Sequence, residues 1–165
     1  MQVKQASNSD KTSVLEFCQN TFSWGDYILQ VWDYWILEGN LLVIHEKNEP
    51  VAICHATFYD RNMWIEGIRI HPSYRRRGFA KNLLKHCEEL SKQKNCLTAQ
   101  MLIETNNSNS INLAKSLDYA IKETWNFYSL EKATQTNKET DHILTQNRKD
   151  VLLSSNFNYV DSWRW

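Results

Sequence analysis

Apolar residues recur along this chain with two different periods, and the elements follow from where one gives way to the other. Residues 1–6 read as a short strand around Val3. Ser7, Asn8, Ser9 and Asp10 then offer N-caps for a helix to about Thr21, with Val14, Leu15, Phe17, Cys18 and Phe22 on its inner face. Trp24-Gly25-Asp26 interrupts. A second helix is predicted over Tyr27–Glu38, because Ile28, Val31, Trp32 and Trp35 fall at i, i+3, i+4 and i+7, and Gly39 stops it. Residues 40–46 and 51–59 read as strands joined by the turn residues Lys47-Asn48-Glu49-Pro50. A third strand, 63–70, follows Asp60-Arg61-Asn62, and the three make an antiparallel meander.

The third strand ends at His71-Pro72, since Pro72 lacks an N–H and biases His71 away from helix. From Gly78 the period becomes helical, with Ala80, Leu83, Leu84, Cys87 and Leu90 on one face and Lys81, Lys85, Glu88, Glu89 and Lys92 on the other. Leu97–Thr105 is a strand, expected parallel to 63–70 because a helix separates the two. Asn107-Ser108-Asn109 caps a helix bearing Ile111, Leu113, Ala114 and Leu117, and strand 120–130 follows. Residues 131–140 are polar and read as a linker, and 141–154 as a weak helix. Phe157, Tyr159, Trp163 and Trp165 then alternate with polar residues, as in a last strand that completes the sheet within its own subunit or in a homodimer partner.

Composition narrows the class. At 165 residues the chain is most simply one domain, 1–165. Lys and Arg number 19 and so do Asp and Glu, so no global charge recruits nucleic acid or an anionic membrane. No apolar run approaches the length of a membrane span, and no basic-then-apolar leader opens the sequence. Cys18, Cys54, Cys87 and Cys96 form no C-x-x-C pair and read as reduced core residues. The expectation is a cytoplasmic protein without a metal.

Positive charge is concentrated in the turn before the central helix. Arg75, Arg76 and Arg77 precede Gly78, which lets a bound group approach the backbone where a helix N-terminus presents unpaired N–H groups. That is a phosphate cradle; a solvated basic loop capping an ordinary helix is the plain alternative. With only Gly25, Gly39, Gly67 and Gly78 available, neither G-x-G-x-x-G nor G-x-x-x-x-G-K-[ST] can be written, which argues against a Rossmann dehydrogenase or a nucleoside triphosphatase.

Arg75-Arg76-Arg77-Gly78-Phe79-Ala80 fits the (Gln/Arg)-x-x-Gly-x-(Gly/Ala) motif of the GCN5-related N-acetyltransferases (GNAT), and the run from Ile68 to Gly78 resembles that family's central strand and pyrophosphate loop. The resemblance is clearest over residues 50–130. It implies an α/β (α+β) fold: a mixed, mostly antiparallel sheet of six to seven strands, helices on both faces, and splayed strands 63–70 and 97–105. It also implies acetyl-CoA as cosubstrate and an amine as acceptor. The residues it points to for the cofactor are Ile68, Arg69, Ile70, Arg75, Arg76, Arg77, Gly78, Phe79, Ala80, Lys81 and Asn107. The backbone of 68–70 would pair with the pantetheine arm, and Gly67 in mid-strand suggests a bulge consistent with such a splay. Two departures stand out: the family's tyrosine position is Ala114, and its Gly-Phe pair is Asp118-Tyr119.

For deprotonating the amine the candidate is Glu66, a carboxylate within an apolar strand, where burial would raise its proton affinity. A structural pairing of Glu66 with Arg69 or a nearby lysine is the alternative. Glu104 is the reserve base, with His55 and His71 behind it. Tyr119 or Tyr128 would replace the missing tyrosine as acid. Trp24, Asp26, Tyr27, Glu66 and Glu104 are the candidate acceptor contacts, with Asp33 a further polar anchor. Gly25-Asp26-Tyr27 and Glu66–Ile70 also resemble a histidine N-acetyltransferase-like subgroup, which implies a free amino acid or small amine. The competing readings are a non-catalytic acyl-CoA-binding module, a peptide N-terminal acetyltransferase and, least supported, a nucleic-acid binder.

Overall fold

The computed structural model describes residues 1–22, 25–130 and 145–154, the last ten and residues 127–130 as backbone strands. Seven strands form one sheet in the order β1-β2-β3-β4-β5-β7-β6. They are β1 (Val3–Gln5), β2 (Leu41–Glu46), β3 (Glu49–Tyr59), β4 (Asn62–Ile70), β5 (Thr98–Glu104), β6 (Ala120–Leu130) and β7 (Thr145–Ser154). The helices are α1 (Lys11–Cys18), α2 (Ile28–Glu38), α3 (Phe79–Gln93) and α4 (Ser108–Lys115). β4 and β5 run parallel and the other pairs antiparallel, as the helical crossover between those two strands requires.

Both faces of the sheet are covered, and alternation along the strands decides which residue serves which face. Leu41, Val43 and Ile53 pack with Val14, Cys18, Ile28, Trp32 and Trp35 of α1 and α2. Leu42, Ile44, Ala52 and Cys54 pack on the opposite face with Leu83, Leu84 and Cys87 of α3 and with Ala114. Each large side chain buried this way contributes roughly 1.5–3 kcal/mol. All four cysteines are free and buried, and burial, with Asp26 nearby, pushes the Cys18 thiol up to about 12.

The predicted turns take the shapes their residues favour. Lys47 and Asn48 have φ of 51° and 69°, as a two-residue hairpin turn requires, and Gly39 ends α2 at φ 80°. The bulge is at Gly67. On β3 Ile53 and His55 face Arg69 and Glu66 of β4, so two residues of β4 oppose Cys54. Gly67 has φ 62°, and a Cβ there would lie 2.5 Å from Trp35 Cη2.

One prediction is overturned. Residues 141–154 read as a weak helix, yet Thr145–Ser154 is a strand lying between β5 and β6, pairing Ile103 with Val151 and Trp125 with Asp150. Hydrogen bonding to two neighbouring strands outweighs a weak local helical preference. The linker 131–140, the final aromatic strand and its suggested role in a homodimer lie outside the described residues. Among the described residues no helix is long and apolar enough to cross a membrane.

Candidate active site

Two features converge at the C-terminal end of β4. The first is a row of free amides. After Ile70, Pro72–Tyr74 forms a short 3₁₀ turn, capped as His71 Nδ1 accepts from the Ser73 N–H at 3.2 Å. Arg76 (φ 63°) and Gly78 (φ 85°) then adopt left-handed conformations on either side of Arg77. The first bond of α3 runs from the Asn82 N–H to the Gly78 carbonyl at 3.0 Å. The amides of residues 76–81 therefore find no acceptor among the described residues, and successive N–H groups in such a turn form an anion-binding concavity. Arg75, Arg76, Arg77 and Lys81 are exposed around it. A Cβ on Gly78 would meet nothing within 4 Å, so the concavity is open. Phe79 is 4% exposed and sits in the core, so only its backbone faces this loop.

The second feature is an open strand edge. β4 pairs with β5 only from Asn62–Trp64 to Thr98–Gln100, and from residue 65 onward that edge has no ladder among the described residues, which is the splay expected between these two strands. The His71 N–H donates to the Val51 carbonyl at 2.8 Å, so His71 faces β3 and, by alternation, the N–H and C=O of Ile70 face the gap. The carbonyls of Ile68 and Ile70 accept from Arg69 Nη1 (3.1 Å) and Arg75 Nε (3.3 Å).

Toward β3 lies a polar set built about a buried imidazole. Among the described residues Glu66 pairs with neither Arg69 nor a lysine. Its Oε1 lies 3.2 Å from His55 Nδ1, and His55 Nε2 lies 3.0 Å from Oε2 of Glu38. The His55 side chain is 1% exposed, Glu38 23% and Glu66 35%, so the two carboxylates reach outward from a sealed imidazole. Trp35 stacks on the imidazole at 4.2 Å with 9° between the planes. Glu38 was not among the predicted residues. An ionisable histidine inside an apolar strand signals that a partner must exist, but not that the end of α2 supplies it.

Arg69 is committed elsewhere. Its Nε and Nη2 bind Asp26 Oδ2 and Oδ1 at 2.6 and 3.1 Å, and both side chains are nearly sealed. Its guanidinium also lies 5.0 Å from the Phe22 ring centre and 5.2 Å from that of Tyr27. Burial opposes the charge on Arg69, but Asp26 more than offsets it and holds the group above its ordinary value. Burial pushes the Tyr27 phenol up, against the pull of Arg69, with Glu66 and Asp26 adding to the rise. Tyr27 thus lies within electrostatic reach of both Glu66 and Asp26, while Asp26 spends its carboxylate on Arg69. Asp33 instead forms an exposed pair with Lys11 at 2.6 Å. Trp24 lies outside the described residues.

The remaining predicted residues sit as follows. Asn107 is the N-cap of α4, accepting from the Ser110 N–H at 3.1 Å. Glu104 ends β5 and is half-buried. Tyr119 is 2% exposed within the main core, and Ala114 is fully buried, so neither position offers an acid open to the gap. Tyr128 is in β6, where only the backbone is described. Among the described residues no group of three His, Cys, Asp or Glu side chains is arranged to hold a metal ion.

The acetyltransferase (GNAT) family model matches residues 10–119. No curated protein matches the chain. Solved structures similar to it include the ribosomal-protein-S18-alanine N-acetyltransferase from Escherichia coli, at 12% identity and a TM-score of 0.71 over 99% of this chain and 98% of that one. Another is the ribosomal-protein-alanine N-acetyltransferase from Brucella melitensis, at 15% identity and 0.70 over 95% and 100%. A third is Arabidopsis thaliana Naa50 in complex with bisubstrate analogue CoA-Ac-MVNAL, at 18% and 0.69 over 94% and 98%. At these identities the likeness is one of fold.

Proposed function

The chain belongs to the acetyltransferase (GNAT) family and is an acetyl-CoA-dependent N-acetyltransferase, and from that premise we propose that its acceptor is the primary amine of a small molecule or free amino acid, deprotonated by Glu66. The observation that carries the reading is that one run of chain, from mid-β4 to the first turn of α3, supplies three features. The free amides of residues 76–81, the open edge at Ile70 and the Glu66 carboxylate lie within sixteen consecutive residues, 66–81.

The residues fit acetyl-CoA. The six amides and the surrounding arginines suit its diphosphate, and Ile70 suits the amides of its pantetheine arm as an added strand would. Bound there, acetyl-CoA supplies an activated thioester carbonyl. Glu66 Oε2, which has no partner among the described residues, takes the amine proton while Oε1 stays bound to His55. Ile70 N–H orients the acyl arm. With Tyr119 sealed and Ala114 lacking a hydroxyl, we assign no acid. A thiol of ordinary pKa, about 8.5, departs as thiolate without one. The candidate acceptor wall is Tyr27 together with Asp26, whose bond to Arg69 ties the segment before α2 to β4. Glu104 is kept as a candidate contact from the facing strand.

The test is thiol release from acetyl-CoA across a panel of amino acids, polyamines and peptides. Release with a small amine, lost in Glu66→Gln, is the expected result. Thermal stabilisation by CoA without release from any acceptor would identify a binding module instead. Release with peptides alone would move the acceptor to a peptide N-terminus.

A further inference from the structure

Each nitrogen of His55 lies within hydrogen-bond distance of a carboxylate oxygen, Glu66 Oε1 on one side and Glu38 Oε2 on the other. Neither contact is attractive without a proton between the atoms, so two protons are shared among three groups. The trio is then two carboxylates about an imidazolium, or a neutral imidazole with one carboxylic acid. Its net charge is −1 either way.

Burial of the 1% exposed ring works against an imidazolium, while the flanking carboxylates, a helix end and an aromatic face work for it. Glu38 is the last residue of α2, where the aligned peptide dipoles leave partial negative charge that stabilises a nearby cation. The Trp35 indole lies face to face with the ring, and an aromatic face attracts a cation. The other titratable groups facing the trio are Tyr27, which precedes α2, Cys54 of β3, and the Asp26–Arg69 pair, whose charges cancel.

We propose that His55, held by Glu38 and Trp35, is the positioning residue of this enzyme: it pins Glu66 Oε1 as an imidazolium and leaves Oε2 as a carboxylate aimed at the acceptor. This rests on the reading of Glu66 as the base. When Oε2 takes the proton, the amine N–H bond breaks, an O–H bond forms on Glu66 and the trio passes from −1 to neutral. Glu66, one-third exposed, then returns the proton to water. The net negative trio also favours approach of an ammonium-bearing acceptor.

The experiment is the pH profile of kcat/KM for the amine in wild type, His55→Gln, Glu38→Gln and Glu66→Gln, assayed well below each melting temperature. Without the imidazolium, Glu66 holds its proton more tightly. His55→Gln should therefore move the acidic limb upward by at least half a pH unit and lower kcat about tenfold near pH 7, with KM for acetyl-CoA within twofold. Glu38→Gln, at a partly exposed site less prone to misfolding, should produce part of the same shift because the ring loses one of its anions. Both variants keeping the wild-type limb and kcat, whatever their melting temperatures, would overturn the proposal while leaving Glu66 in place. Full activity in Glu66→Gln would overturn the reading beneath it.

Discussion

Gly67 and the indole of Trp35 compete for one volume: a Cβ on residue 67 would stand 2.5 Å from Cη2 and 2.7 Å from Cζ3. The bulge therefore admits the ring that stacks on His55, and the backbone at φ 62° disfavours any other residue. Gly67→Ala combines a left-handed alanine, about 1–2 kcal/mol, with overpacking of about 1–3 kcal/mol. Urea denaturation should show a loss of about 2–5 kcal/mol. Gly78→Ala, with nothing within 4 Å, should show only the backbone part. Equal losses in the two variants would mean that the contact with Trp35 carries no energy.

Two of the ion pairs around α1 and α2 should differ sharply. Asp26 and Arg69 are 4% and 11% exposed, whereas Asp33 and Lys11 are 78% and 30% exposed. Removing one partner of a buried pair strands the other charge, so Asp26→Ala should lose about 3–5 kcal/mol. Asp33→Ala should lose less than about 1 kcal/mol. Comparing denaturation midpoints at constant m-value decides it, and similar losses would contradict the burial contrast.

That contrast also marks how far the chain can be read without its structure. The stretch 63–94 carries its own punctuation, Pro72 to end a strand and Gly78 to open a helix, so the loop is legible from local chemistry. The bulge at Gly67 is legible for the same reason, since an isolated glycine in a strand has few other uses. Arg69 and Asp26 are 43 residues apart, and Arg69 stands next to Glu66 in any one-dimensional view, so the wrong partner is the natural guess. Glu38 is one of 19 acidic residues until the register of β3 brings His55 within its reach. Strand β7 depends on pairing with β5 and β6 at once, which no local period expresses.

The loop arginines can be tested without touching the core. Arg76 and Arg77 are exposed, and Arg77 rests 5.1 Å from the centre of the Tyr74 ring. A charge-assisted hydrogen bond contributes about 1.5–3 kcal/mol, which corresponds to roughly ten- to hundredfold in affinity. Arg76→Glu and Arg77→Glu should raise KM for acetyl-CoA by about that factor with kcat within threefold, and the penalty should shrink as salt is added. An unchanged KM at low salt would remove these side chains from cofactor binding.

Acid sensitivity should centre on Asp10. Its carboxylate accepts from the Ser7 N–H at 2.8 Å and the Ser7 hydroxyl at 3.0 Å, and its other oxygen lies 2.7 Å from His45 Nε2. Burial alone would raise its proton affinity, but the bonds from Ser7 and His45 outweigh that and hold the group below its ordinary value of 3.8. A group depressed in the folded state stabilises fully above its unfolded value. That stability is lost as pH falls through about 3.8 and on through the lower folded value. Asp10→Asn should therefore melt lower than wild type at pH 7, by a loss of about 1.5–3 kcal/mol, the range for hydrogen bonds to a charged group. The difference should close as both are acidified toward pH 3, where the wild-type carboxylate is being protonated. Parallel melting curves across that range, with the pH 7 gap intact at pH 3, would place the acid-sensitive contact elsewhere.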